Sequence, residues 1–173
     1  MYKSRFTTQM LTRTALLVGT SIVLKAFLSL DSPTYRITFF ELPLIILGIL
    51  FGPVIGLIGG FIVDWIYVLY SPFAFSFNLM TLSTMLWGFI PGLYFLKIKR
   101  VSYFNLSIVI ILTSLMAFSL NSVQLYLWFN TGMYVELPAR IITMVIKLPM
   151  QIYLIKELHR LFVTYIDRSY VTD

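Results

Sequence analysis

Of the 173 residues, 59% are hydrophobic and only 12% are charged, with a formal net charge of +6 and a mean hydropathy of +0.89. A soluble domain carries about 25% charged residues, and here apolar stretches recur along the whole chain, so neither a water-soluble core nor a separate soluble domain fits. The basic residues sit at the ends of apolar segments rather than on one basic face, which argues against a nucleic-acid partner, while the lack of cysteine and the single His159 leave nothing for disulfides, a thiol nucleophile, a metal site or a metal cofactor.

The basic start with Lys3, Arg5 and Arg13 resembles a signal peptide, but no small-residue cleavage site follows and the apolar run continues to Leu30. Taking the chain in order, candidate spans cover residues 10–30, 37–51, 54–70, 79–97, 104–129 and 138–162. The first span opens with Ala15 and, four residues on, Gly19, a small-xxx-small pair that flattens one helix face for close approach of another helix. Spans two and three are divided only by Gly52-Pro53, which predicts a tight antiparallel hairpin, and Gly56, Gly59 and Gly60 just beyond it read as packing glycines. Pro43, Pro91 and Pro149 fall inside helical segments, where each is expected to loosen a backbone hydrogen bond or kink the helix.

Charge sets the orientation. Segments 1–13, 97–100 and 156–173 hold nine of the thirteen Lys and Arg residues, and the positive-inside rule places all three in the cytoplasm. An even number of spans must separate them, and residues 14–96 hold too much apolar chain for two. The expected fold is therefore an all-α membrane protein, one transmembrane domain over residues 1–173 with six transmembrane helices and both termini cytoplasmic.

On this topology the polar intramembrane residues crowd into the outer half. Asp64 lies about 9 Å below the outer end of the third span, and Asn121 and Gln124 lie about 9–14 Å short of the outer end of the fifth. Glu41 is within about two turns of the outer end of the second. Arg140 stands at the outer mouth of the sixth span and Lys147 roughly 10 Å deeper on the same face, with Gln151 one turn beyond. Ionisable groups at such depth are expensive and mark functional sites by default. Two amides beside two stacked cations suit an elongated ligand that carries amide-like edges and negative charge. The bland alternative pairs Asp64 with Lys147, or Glu41 with Arg140, as neutralised contacts that only pin helices. Lys25 is expected to snorkel outward with no ligand role. Aromatic residues cluster at the outer end, among them Phe39, Tyr67, Tyr70, Phe73, Phe75, Phe77 and Trp128; interface belts explain many, and a flat heteroaromatic ligand would stack on others.

Several motifs together resemble a known family. They are Ala15 with Gly19; Arg36-Ile37-Thr38-Phe39 leading into Glu41-Leu42-Pro43; Gly48 with Phe51-Gly52-Pro53; Asp64; Thr81-Leu82-Ser83 followed by Gly88-Phe89-Ile90-Pro91-Gly92; and Leu137-Pro138-Ala139-Arg140 with Pro149-Met150-Gln151. The chain resembles the membrane-embedded S components of prokaryotic energy-coupling factor (ECF) vitamin transporters, and specifically their folate-specific branch. It departs from that branch at Gly19, where alanine is common, and at Phe77-Asn78-Leu79, which lacks an aromatic-Pro-Gly stretch.

The resemblance implies a plasma-membrane protein that is not an enzyme and needs no cofactor. It would capture folate from outside, with residues 31–36 as a gate, and deliver it through a transmembrane coupling subunit and two cytoplasmic ATPases. The implied substrate-binding residues are Arg36, Phe39, Asp64, Asn78, Ser83, Asn121, Gln124, Arg140 and Lys147, and Ala15 with Gly19 would dock on the coupling subunit. An S component for another vitamin, such as thiamine or riboflavin, is the nearest alternative, although a cationic thiamine would not suit Arg140 and Lys147. A structural membrane protein without transport function is the other. The topology is open to single-cysteine labelling in this cysteine-free chain: Ser71→Cys and Thr131→Cys should react from outside, Ser102→Cys and Ser169→Cys only after permeabilisation. External labelling at Ser169 would overturn the six-span arrangement.

Overall fold

The structure, a computed structural model, describes residues 8–27, 30–31, 36–70, 78–98, 100–129 and 133–170. Six helices account for nearly all of them: α1 (Thr8–Ala26), α2 (Glu41–Phe51), α3 (Pro53–Tyr70), α4 (Leu79–Lys97), α5 (Tyr103–Phe129) and α6 (Met133–Tyr170). Between α1 and α2, the two-residue strands β1 (Leu30–Asp31) and β2 (Arg36–Ile37) pair antiparallel, Leu30 opposite Ile37 and Asp31 opposite Arg36. The first helix thus ends at Ala26, short of the expected Leu30, because the apolar residue at 30 is used in a strand pair rather than a further helical turn. The sixth helix is longer at both ends than hydropathy alone suggested, running well past the apolar stretch into the polar C-terminal residues.

The helices form a closed ring in which α1 packs on α3, α3 on α4, α4 on α5, α5 on α6, α6 on α2 and α2 on α1. Contacts of α2 with α3 and α4 draw it into the centre, and its residues Leu42 to Gly48 are all buried. That burial is why α2 reads as a continuous apolar run with no polar face. The reversal between α2 and α3 falls on Gly52, whose φ of +91° an L side chain rarely adopts. Pro53 opens α3, where its fixed φ suits the first helical position. Pro43 lies in the first turn of α2, where amide hydrogens have no intrahelical acceptor, so it breaks no helical bond there, contrary to expectation.

Glycine lets α4 approach this hairpin backbone to backbone. A Cβ placed at Gly48 or at Gly56 would collide with the carbonyl of Gly88, one at Gly60 would lie 2.7 Å from the Cα of Met85, and one at Gly92 would lie 2.6 Å from the Cα of Pro53. Small residues at such crossings allow interhelical packing where no hydrophobic driving force separates lipid from protein. The outward side of the ring is apolar: Ile58, Ile62 and Leu69 of α3, Phe104, Ile111, Leu115 and Leu127 of α5, and Ile142, Val145 and Ile146 of α6 are exposed. Exposed apolar surface of this extent marks a face that meets lipid or protein rather than water. Among the described residues, α4 and α5 are long and apolar enough to cross a bilayer, and α2 and most of α3 are apolar but shorter.

Candidate functional site

The end of the bundle that carries the C-terminus of α1, the N-terminus of α2 and the C-terminus of α3 holds two buried ion pairs. In the first, Lys25 of α1 pairs with Asp64 of α3 and also donates to Thr84 Oγ1 of α4 at 3.0 Å, while Thr84 donates to Asp64 Oδ1 at 3.2 Å. The ammonium lies 4.7 Å from the centroid of Phe40 and 5.1 Å from that of Tyr67, within the range of cation–π attraction. Lys25 therefore does not snorkel: it is 5% exposed and Asp64 is 4% exposed. A cation with a buried carboxylate, a hydroxyl and two aromatic faces has no reason to reach for the interface. The sequence carried a sign of this, because Leu17, Val18, Ser21 and Lys25 repeat at helical spacing and form the buried stripe of α1.

In the second pair, Lys147 Nζ of α6 donates to Glu41 Oε1 of α2 at 2.8 Å and lies 5.6 Å from the centroid of Phe39. The pairings considered from sequence, Asp64 with Lys147 and Glu41 with Arg140, are thus both replaced. The ring order sets α1 against α3, which gives Asp64 to Lys25, and it sets α2 against α6, where the level of Glu41 along α6 selects Lys147 over Arg140 two turns away. Residues 38–40 divide the two clusters and are stitched to α1: Ser21 Oγ donates to the Phe40 carbonyl at 2.6 Å, and Thr38 Oγ1 donates to the Leu24 carbonyl at 3.2 Å. Phe40 consequently faces Lys25 while its neighbours Phe39 and Glu41 meet Lys147.

Two amides expected in the ligand site serve helix α4. Asn78 is its N-cap, accepting at Oδ1 from the amides of Met80 at 2.9 Å and Thr81 at 3.2 Å; Gln124 of α5 accepts at Oε1 from Leu79 N at 3.1 Å. Together they satisfy three amides of the first turn that have no intrahelical acceptor. Those oxygens are thereby committed to the start of α4. Ser83 is buried on α4 beside Thr84. Asn121 is half-buried on α5, and its Oδ1 has no hydrogen-bond partner among the described residues. Arg140 is half-buried on α6 with its guanidinium 5.0 Å from the Phe118 ring centroid. The side chain of Arg36 and residues 32–35, 71–77 and 130–132, with Ser71, Phe73, Phe75, Phe77 and Thr131, lie outside the described residues. Residues under-read from the sequence are Lys25, Glu41 and Gln151, all buried at or beside these clusters. No group of three or more His, Cys, Asp or Glu suited to a metal ion occurs among the described residues.

The family model for the ECF transporter substrate-specific component matches residues 9–166. The chain belongs to that family. Membership makes it the membrane-embedded, substrate-specific part of a transporter. Among solved structures, a crystal structure of FolT bound with folic acid is similar at a TM-score of 0.79, with 25% sequence identity over 90% of this chain and 95% of that one. No curated protein matches.

The Lys25–Asp64 pair separates a structural from a ligand role by stability alone. Lys25→Met leaves Asp64 buried without its cation and should destabilise the ligand-free protein by about 3–5 kcal/mol. Adding Asp64→Leu should recover most of that loss, as read by thermal unfolding in detergent. A single variant as stable as wild type would mean that the pair does not hold α1 to α3.

Proposed function

We propose that this S component captures folate from the outside of the plasma membrane and delivers it inward through an ATP-driven coupling module. The observation that carries the reading is the likeness, over nearly the whole of both chains, to a folate-bound FolT within the same family. The chemistry at the polar end agrees with it. Folate is a flat heteroaromatic ring joined to a glutamate tail with two carboxylates, and α6 offers two cations two turns apart on one face, Arg140 and Lys147. Lys147 is paired with Glu41, and Arg140, nearer the N-terminal end of α6, is the cation assigned to the tail because a guanidinium can grip a carboxylate with two parallel hydrogen bonds. Phe39 beside Lys147 and the half-buried Asn121 belong to the deeper, ring-binding part. Asp64, Asn78, Ser83 and Gln124 support that pocket by holding α1, α3, α4 and α5 in place, and Arg36 at the end of the α1–α2 connection belongs to its gate.

With both termini in the cytoplasm, Ala15 and Gly19 fall near the inner surface of α1. Ala15 is exposed, and no atom lies within 4 Å of a Cβ built at Gly19. This face is the docking surface for the transmembrane coupling subunit, which two cytoplasmic ATPases drive.

Calorimetric titration of the purified protein with folic acid and with pteroate, which lacks the glutamate, tests the binding reading. Arg140→Ala should weaken folic acid roughly tenfold to a hundredfold, the equivalent of about 1.5–3 kcal/mol for a charge-assisted hydrogen bond, and pteroate far less. Equal losses for the two ligands would remove the tail contact, and a wild-type protein that binds thiamine or riboflavin in preference to folic acid would overturn the substrate. Docking is tested separately. Gly19→Leu and Ala15→Leu should abolish most cellular uptake while leaving binding to the isolated protein intact; parallel loss of binding and uptake would mean that the face packs within the protein.

A further inference from the structure

At the contact of α2 with α6, two deeply buried polar side chains each keep a hydrogen-bonding atom without a partner among the described residues. Glu41 is 5% exposed and Gln151 is 2% exposed. Lys147 occupies Oε1 of Glu41, but Oε2 has no partner, and neither has Nε2 of Gln151. Gln151 stands four residues beyond Lys147 and therefore on the same face of α6, one turn deeper. Leaving such groups bare incurs the full desolvation penalty, and native proteins retain few of them without a ligand or water that completes them.

A second, bare carboxylate oxygen is costly in a buried ion pair, because such a pair is stabilising only when its remaining lone pairs are satisfied. An ionised carboxylate only accepts, and an amide nitrogen only donates. Whatever completes this site must therefore present a hydrogen-bond donor to Glu41 and an acceptor to Gln151, and a ring edge with an amino group beside a ring nitrogen offers both. Arg140 lies two helical turns toward the outer end of α6 from this level, so a ligand whose carboxylates reach Arg140 extends its opposite end toward Glu41.

Resting on the folate reading, we infer that Glu41 Oε2 is a specificity-determining contact to the exocyclic amino group of the ligand's 2-amino-4-oxopyrimidine ring, with Gln151 Nε2 donating to an acceptor on the same ring. Lys147 is the positioning residue: it holds the carboxylate by Oε1 and leaves Oε2 turned to the ligand. The aliphatic and aromatic surroundings of α2 and Phe39 keep water from competing for that oxygen, so loss of the ring's donor is felt strongly.

The test compares folic acid with its 2-desamino-2-methyl analogue, which lacks the exocyclic amino donor, on the full-length detergent-purified protein. Wild type should prefer folic acid by about tenfold or more. Glu41→Gln should weaken folic acid by about the same factor and change the analogue by less than about threefold, so that the preference disappears. If Glu41→Gln weakens both ligands equally and the preference survives, Glu41 acts only through Lys147 and the inference is overturned. Equal affinity of wild type for the two ligands overturns it without any variant, even where Glu41→Gln fails to fold. A wild-type protein that binds neither ligand overturns the folate reading, and with it this inference, a result distinct from both others.

Discussion

The backbone contact of α4 with the α2–α3 hairpin is the constraint on which the rest of the bundle depends. Gly88 lies against Gly48 and Gly56 at a separation that leaves no volume for a methyl group on any of the three, and the hairpin itself turns on the positive φ of Gly52. With α4 held this close, Thr84 comes within hydrogen-bonding distance of Asp64 and Lys25, and the N-terminus of α4 comes within reach of Gln124 on α5. Adding side chains at the seam would push α4 outward and pull these polar contacts apart together.

Around that seam the charges are distributed by function. Lys25 and Asp64 tie α1 to α3 with Thr84 as a third member and two aromatic rings over the ammonium. Both bonds to the Asp64 carboxylate fall on Oδ1. Glu41 and Lys147 tie α2 to α6 but leave Oε2 open, with an open amide nitrogen one turn deeper on Gln151.

The ring order also bears on how an S component could work as a moving part. Helix α1 packs on α2 and α3 at one side of the ring, and its stripe of Leu17, Val18, Ser21 and Lys25 is buried while Ala15 and Leu16 face outward. One helix thus carries a core-facing side that reaches the outer polar cluster and an outward side that is small and apolar near the opposite end. The two sides are joined through one helix, which links Ala15 and Leu16 to Lys25 and, through Ser21, to the Phe40 carbonyl.

Composition, hydropathy and the distribution of basic residues were enough to indicate an all-helical chain of about six segments, because a bilayer demands long apolar helices wherever the chain crosses it. The motifs from Ala15 to Gln151 were enough to suggest the family to which the chain belongs. Legible too were the packing role of Gly56, Gly59 and Gly60 and the turn at Gly52-Pro53, since both are local steric properties. Partner choice was not legible. Asp64 could meet Lys25 or Lys147, and Glu41 could meet Lys147 or Arg140, and one-dimensional spacing treats these options alike. The order of helices in the ring decides the first, the level at which α2 meets α6 decides the second, and the same packing makes Asn78 and Gln124 cap α4 and turns Lys25 inward. Pairing of buried charges depends on distance in a medium of low dielectric, and that distance is set by the packing of helices remote in sequence.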